Sequence, residues 1–278
     1  MTDQPAPSMP VRIHLDDDDD DGLVPAIPAA TLVVLHDQAD GAPPELLMVR
    51  RAATMRFAPH AAVFPGGRVD GDDYVVAAHF APHPANDAAE SAARVAAIRE
   101  TLEETGLPIG LNGRDGGALP AAALAEMRGA LHAGALFSDL IAGHGARIDL
   151  DCLALFSRWR PNFAHVRVFD TRFYVAQLTG PRPELSVSVA ENSQLFWSTA
   201  RDAMDRADAG DLTVIFPTRR NLERLAQHTC FADVQRGMQQ WPPRRIIPYI
   251  RDLNGESHLC IRNDCGYPII SEPVRTAL

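Results

Sequence analysis

Aliphatic and polar positions divide this chain into short strands and longer helices. Residues 31–35 and 45–50 are aliphatic runs on either side of the turn-rich stretch 37–44, a composition that predicts a β-hairpin. A further apolar run, 61–64, leads into Pro65-Gly66-Gly67, where two glycines permit positive φ and a close approach of backbone to a ligand. From Ala88 to Ile98 the chain carries alanines and spaced aliphatics without a breaker. This predicts a helix that starts after Pro84, stops at Gly106 and is closed by Pro108. Leu124, Met127, Leu131 and Leu136 recur at helical spacing and predict one or two amphipathic helices within 121–141. Residues 167–178, rich in Phe, Tyr, Val and Thr, return to a strand pattern. After Trp197 come two helical segments, 198–206 and 218–226, the second with Thr218 as its expected cap. Asn254-Gly255, between 246–250 and 258–261, is the strongest short hairpin signal in the chain.

The helix ending at Gly106 carries the most informative residues, Arg99-Glu100-Thr101-Leu102-Glu103-Glu104-Thr105-Gly106-Leu107. At helical spacing Glu100, Glu103 and Glu104 project from one face, and Arg99 stands four residues before Glu103, where it can clamp that carboxylate. Like charges this close repel unless a cation lies among them. Hard oxygen donors suit Mg²⁺ or Mn²⁺, with water and substrate phosphate filling the remaining positions. A lone acidic triplet is ordinarily a solvated helix face, and Gly66-Gly67 is on its own a tight turn. Their joint occurrence points to phosphate chemistry.

Together these residues resemble the Nudix hydrolase family, whose box runs Gly, five residues, Glu, seven residues, Arg-Glu, two residues, Glu-Glu, one residue, Gly. Arg99, Glu100, Glu103, Glu104 and Gly106 match the second half at every fixed position. The first half is split: 31 residues separate Gly67 from Arg99, 18 more than the box allows. The family's first glutamate therefore has two candidate counterparts, Asp73 by its distance from Gly67 and Glu90 by its distance before Arg99, and the spacing does not choose. A split box after Met55-Arg56-Phe57-Ala58-Pro59 and Val63-Phe64-Pro65-Gly66-Gly67-Arg68-Val69-Asp70 is similar to the branch of organellar coenzyme A diphosphatases and their bacterial relatives. Trp159-Arg160-Pro161, 167–174 and Phe216-Pro217-Thr218 with Leu222 and Leu225 agree with it.

The resemblance implies an α/β (α+β) Nudix fold, a mixed sheet sandwiched between helices, with extra helical insertions. One domain is expected over 29–278, with insertions at about 71–90 and 108–150 and a C-terminal helical and hairpin extension. It also implies Glu100 and Glu104 as principal ligands of Mg²⁺ or Mn²⁺, Glu103 as shared ligand or base, and Arg99 orienting an acid. A loop carboxylate often completes such sites. Glu191, six residues before Trp197, is the candidate, a plain surface glutamate being the other reading of it.

The net charge of −10 includes the run Asp16 to Asp21, without which the body is only mildly acidic. Residues 1–28, rich in Pro, Asp and small residues, are expected to form a flexible acidic tail. No stretch approaches the ~20 apolar residues of a membrane span, and no basic-then-apolar leader begins the chain, so a cytoplasmic protein is expected. Cysteines 152, 230, 260 and 265 lack paired zinc spacing and fit a reducing compartment.

Arg50, Arg51, Arg56 and Arg68 lie near the double glycine in sequence, and guanidinium groups suit phosphates; solubility is the ordinary role for at least two of them. Gly66, Gly67, Arg50, Arg56 and Arg68 form the expected substrate-binding set. The stricter coenzyme A signature is only partly echoed, by Met55-Arg56; its glycine is missing and His60 stands nearby. The expected reaction is attack of water on a diphosphate linking a nucleoside to another group, with coenzyme A or an acyl derivative as first choice. ADP-ribose, NADH and dinucleoside polyphosphates are the alternatives, and a non-catalytic nucleotide sensor is the reading from another class. Nucleic acid is not an expected partner, since no basic stripe is interleaved with aromatics. No histidine pairs with Ser or Cys for covalent catalysis. A homodimer is the family-level expectation.

Overall fold

A computed structural model describes residues 22–52, 60–162, 167–183 and 192–277. The acidic run, Arg56 and Glu191 lie outside the described residues.

The expected first hairpin is present. β1 (Ile27–His36) and β2 (Glu45–Arg51) pair antiparallel, with Leu35 opposite Leu46 and His36 opposite Glu45. β1 begins earlier than the aliphatic run suggested. Ile27 donates to the Val168 carbonyl and Val24 to Asn162, so the backbone is already fastened within the stretch expected as tail. β3 (Ala62–Val63) joins β2, and β4 (Gly66–Arg68) crosses to β1. Two helices follow, α1 (Gly71–His79) and α2 (Ala88–Thr105). Asp87 caps α2 by accepting from the Glu90 amide, and Gly106 ends it in the left-handed conformation at φ +79°.

After β5 (Leu111–Asn112) come α3 (Ala121–His132) and α4 (Phe137–His144), then β6 (Arg147–Ile148), which pairs with β5. β7 (Ala154–Trp159), β8 (Phe169–Gln177) and β9 (Asn192–Thr199) return the chain to the main sheet. α5 (Ala200–Asp208), α6 (Phe216–Leu225) and α7 (Phe231–Gln240) cover its other side. Thr218 is not the cap of α6. The helix starts two residues earlier, with Pro217 in the first turn, where a missing N–H costs nothing, and Thr218 is buried inside it. β10 (Arg245–Ile246) is followed by the expected hairpin, β11 (Tyr249–Leu253) and β12 (Glu256–Cys260), with Asn254 and Gly255 at φ +57° and +86°. β13 (Ser271–Pro273) and α8 (Val274–Ala277) complete the described chain.

The main sheet is mixed, in the order β10-β7-β8-β1-β2-β3, with β4 on β1 and β9 on β2; β1 runs parallel to β8 and β10 to β7. Alternation along β1 sends Ala30, Leu32 and Val34 to one face and Val33 and Leu35 to the other. The first face packs on Ala93, Ala96, Ala97 and Leu102 of α2, with Val76 of α1 and Met127, Leu131, Phe137 and Ile141 of α3 and α4 in the same cluster. The second packs under α5, α6 and α7. Helices thus sandwich the sheet, the α/β arrangement expected. Trp159 and Tyr174, in segments that agreed with one family branch, are core residues: Trp159 meets Phe216 and Tyr267 edge-on, and Tyr174 lies under the Arg94 guanidinium. Among the described residues no helix is long and apolar enough to cross a membrane.

Candidate active site

Two tight approaches fix the double-glycine bend, one to Glu100 of the glutamate helix and one to the backbone of β1. A Cβ on Gly67 would lie 2.3 Å from Glu100 Oε1, and one on Gly66, at φ +156°, would lie 2.4 Å from the Ala30 carbonyl oxygen. At Gly66 glycine is required by backbone space and by conformation, whereas at Gly67 a side chain would have to displace the Glu100 carboxylate. Across this bend the Gly66 N–H donates to Glu104 Oε2 at 3.1 Å. Glu100 and Glu104 lean on the bend. Glu103 stands to the side, with Oε2 3.7 Å from Arg99 Nη1 and Oε1 3.6 Å from His132 Nδ1.

Arg99 organises the cluster. Its Nε and Nη2 donate to the two oxygens of Asp73 at 2.8 and 3.0 Å, Nη2 also to the Arg68 carbonyl at 3.0 Å, and Nη1 to Glu100 Oε1 at 2.8 Å. The expected clamp on Glu103 is the longest of these contacts and Asp73 the main partner. Asp73 is wholly buried, and its carboxylate also accepts from the Asp70 amide at the start of α1. Spacing alone left Asp73 and Glu90 as rivals, and the structure separates them: Asp73 grips Arg99, while Glu90 pairs with Arg94 and Arg172.

Electrostatics follow from this crowding. Burial pushes the Glu100 carboxyl up to about 7 against the pull of Arg99, and Glu103 adds to the rise. Burial likewise raises Asp73 against the pull of Arg99. Burial also opposes the charge on Arg99, but its hydrogen bonds to Asp73 and the nearby Glu100 more than compensate and hold it above its ordinary value.

Among the described residues no three His, Cys, Asp or Glu side chains are gathered into a ready-made metal cage. The donor set nonetheless fits a hard dication. Mg²⁺ is commonly held by one or two carboxylates while water and substrate phosphate complete its shell, and the Glu100–Glu104 pair at the bend is such a set. A cation there would also relieve the cost of ionising Glu100. Of the expected substrate-binding residues, Gly66 and Gly67 form the bend and Arg68 is exposed just beyond it. Arg50 lies on β2, opposite Ala62 of β3 and Gln194 of β9. Arg128 was not anticipated from the sequence: from α3 its Nε and Nη2 donate to the Glu103 and Glu104 carbonyls at 3.0 and 2.9 Å. No spacing rule joins it to the acids, because it lies 24 and 25 positions further along the chain.

This arrangement, a mixed sheet between helices with an arginine–glutamate helix on a double-glycine bend, is that of a Nudix hydrolase, and the chain belongs to that family, whose members act on phosphorus-containing anhydrides. A Nudix hydrolase from Alicyclobacillus acidocaldarius is 31% identical, with 75% of this chain and 94% of that one aligned and a TM-score of 0.65. An acyl-coenzyme A diphosphatase of Gallus gallus is 27% identical over 255 residues, 72% of this chain and 68% of that protein. A putative Nudix hydrolase of Caenorhabditis elegans is 28% identical over 182 residues, 66% of this chain and 56% of that protein. Likeness to the Gallus gallus protein supports the coenzyme A diphosphatase-like branch. No family model matches the chain.

Proposed function

We propose that this protein is a divalent-metal-dependent hydrolase that cleaves the diphosphate bond of a nucleoside diphosphate derivative, with coenzyme A or acyl-coenzyme A as first substrate. The observation that carries the reading is the seating of Glu100 and Glu104 on the Gly66-Gly67 bend, with Arg99 fixed behind them by Asp73. The Gallus gallus relative supports the choice of substrate.

In this reading Glu100 and Glu104 would be the residues that hold Mg²⁺ or Mn²⁺. Such an ion would supply charge neutralisation on the diphosphate and would make nearby water more acidic. Glu103, partly exposed beside Arg99 and His132, accepts the proton of the attacking water, and Arg99, shared by Glu100 and Glu103, orients both. Water adds to phosphorus as the anhydride P–O bond breaks, which from coenzyme A gives phosphopantetheine and 3′,5′-ADP. Asp73 weakens the case for a sensor that has lost its chemistry, since the partner of Arg99 is in place. The test is incubation with Mg²⁺ and coenzyme A, acyl-coenzyme A, NADH, ADP-ribose or diadenosine polyphosphates, with products identified by mass. Mg²⁺-dependent release of phosphopantetheine supports the proposal; tight nucleotide binding without any hydrolysis supports the sensor.

A further inference from the structure

The acids of α2 sit at the wrong end of their helix. Glu100, Glu103 and Glu104 occupy its last two turns, where the macrodipole is negative, and no basic residue of α2 lies in its last turn. The compensating cation comes from elsewhere in the chain. Arg128 of α3 places Nε and Nη2 on the carbonyls of Glu103 and Glu104, two terminal carbonyls that α2 itself does not satisfy. Its Nη1 comes within 3.2 Å of where a Cβ on Gly106 would be, so the left-handed glycine that ends α2 also leaves room for this guanidinium. Met127 and Leu131, on either side of Arg128, are buried in the core cluster shared with α2, which fixes α3 in place. At the other end of the insertion Ser138 of α4 donates through N and Oγ to Asp72, the neighbour of Asp73, at 2.9 and 2.6 Å.

We propose that Arg128 is a positioning residue for the metal acids, the point through which the α3–α4 insertion sets the last turn of the catalytic helix. In this role it acts on main chain rather than on substrate or ion. It holds the backbone from which Glu103 and Glu104 project, and so fixes where their carboxylates stand. The inference rests on the proposed metal-dependent reaction.

The experiment compares wild type with Arg128→Gln, Arg128→Lys and, as a control at an exposed site outside the cluster, Arg114→Gln. Three quantities are read: Mn²⁺ affinity of the protein alone by electron paramagnetic resonance, amide hydrogen exchange at 103–107, and kcat and KM on the substrate found active. Loss of groups that orient metal ligands commonly costs about 10–100-fold in affinity or activity, so Arg128→Gln should weaken Mn²⁺ binding and lower kcat by about tenfold or more. Exchange at 103–107 should speed up, while KM stays near wild type and Arg114→Gln matches wild type. Arg128→Lys, which keeps the charge and loses the fork, should fall between them. If Arg128→Gln does not fold, Arg128→Lys decides: weakened Mn²⁺ binding supports the proposal and wild-type affinity overturns it. A folded Arg128→Gln with wild-type affinity, exchange and kcat also overturns it. A wild type that neither binds Mn²⁺ nor hydrolyses any compound of the panel refutes the underlying function instead.

Discussion

Asp73 grips Arg99 through two hydrogen bonds of 2.8 and 3.0 Å across 26 residues of chain, joining the inserted helix α1 to the glutamate-bearing helix α2. Neither side chain has appreciable access to solvent, so the pair stands or falls together. Asp73→Ala strands a buried guanidinium, and removal of one partner from such a pair costs about 3 kcal/mol or more. A lower midpoint of denaturant unfolding, together with lost turnover, is expected. Unfolding and turnover at wild-type values would show that Glu100 alone suffices for Arg99.

Gly67→Ala tests the bend. Gly67 does not have positive φ, so the substitution brings no backbone strain there, and its methyl would meet Glu100 Oε1 at 2.3 Å. The expected result is a displaced carboxylate: a folded protein whose Mn²⁺ affinity falls at least tenfold, measured by titration. Unchanged affinity would place the ion elsewhere.

Glu104→Gln keeps an oxygen that can accept from the Gly66 N–H and removes the charge. The fold should survive, with the same melting curve within about 1 kcal/mol, and Mg²⁺-dependent turnover should disappear. Near-normal activity with full metal dependence would count against Glu104 as a ligand.

Glu100 makes the metal-free protein sensitive to pH. Its carboxyl titrates at about 7 when folded against 4.5 for an ordinary glutamate, so between those values the native state holds more protons than the unfolded chain. Stability contributed by this group is full below about 4.5, declines as pH rises to about 7 and levels off above, a change of at most about 3 kcal/mol. Mn²⁺ binding, which needs the carboxylate, should tighten over the same window. Urea unfolding from pH 4.5 to 8 without metal checks this, and Glu100→Gln should remove the Glu100 part of the slope.

Much of this was legible because it is local. Glu100, Glu103, Glu104 and Gly106 are tied by helical periodicity, and the hairpin at Asn254-Gly255 by turn chemistry, so short windows of sequence contain both. Asp73 was visible as a distance from Gly67, but an 18-residue insertion removes the second ruler, and only three-dimensional proximity to Arg99 distinguishes it from Glu90. Arg128 was illegible for a related reason: it meets main-chain carbonyls, which every residue has, and so leaves no mark in the side-chain pattern. Thr218 was misread as a cap because a hydroxyl next to a proline looks like a helix start, whereas the proline belongs inside the first turn.

The central claim is best tested by crystals of the protein soaked in Mn²⁺ and measured for anomalous scattering. An anomalous peak at the Gly66-Gly67 bend, with oxygens of Glu100 and Glu104 among its ligands, is the expected result. Peaks only elsewhere, or a bend left without one at saturating Mn²⁺ while both carboxylates keep their present contacts, would contradict it.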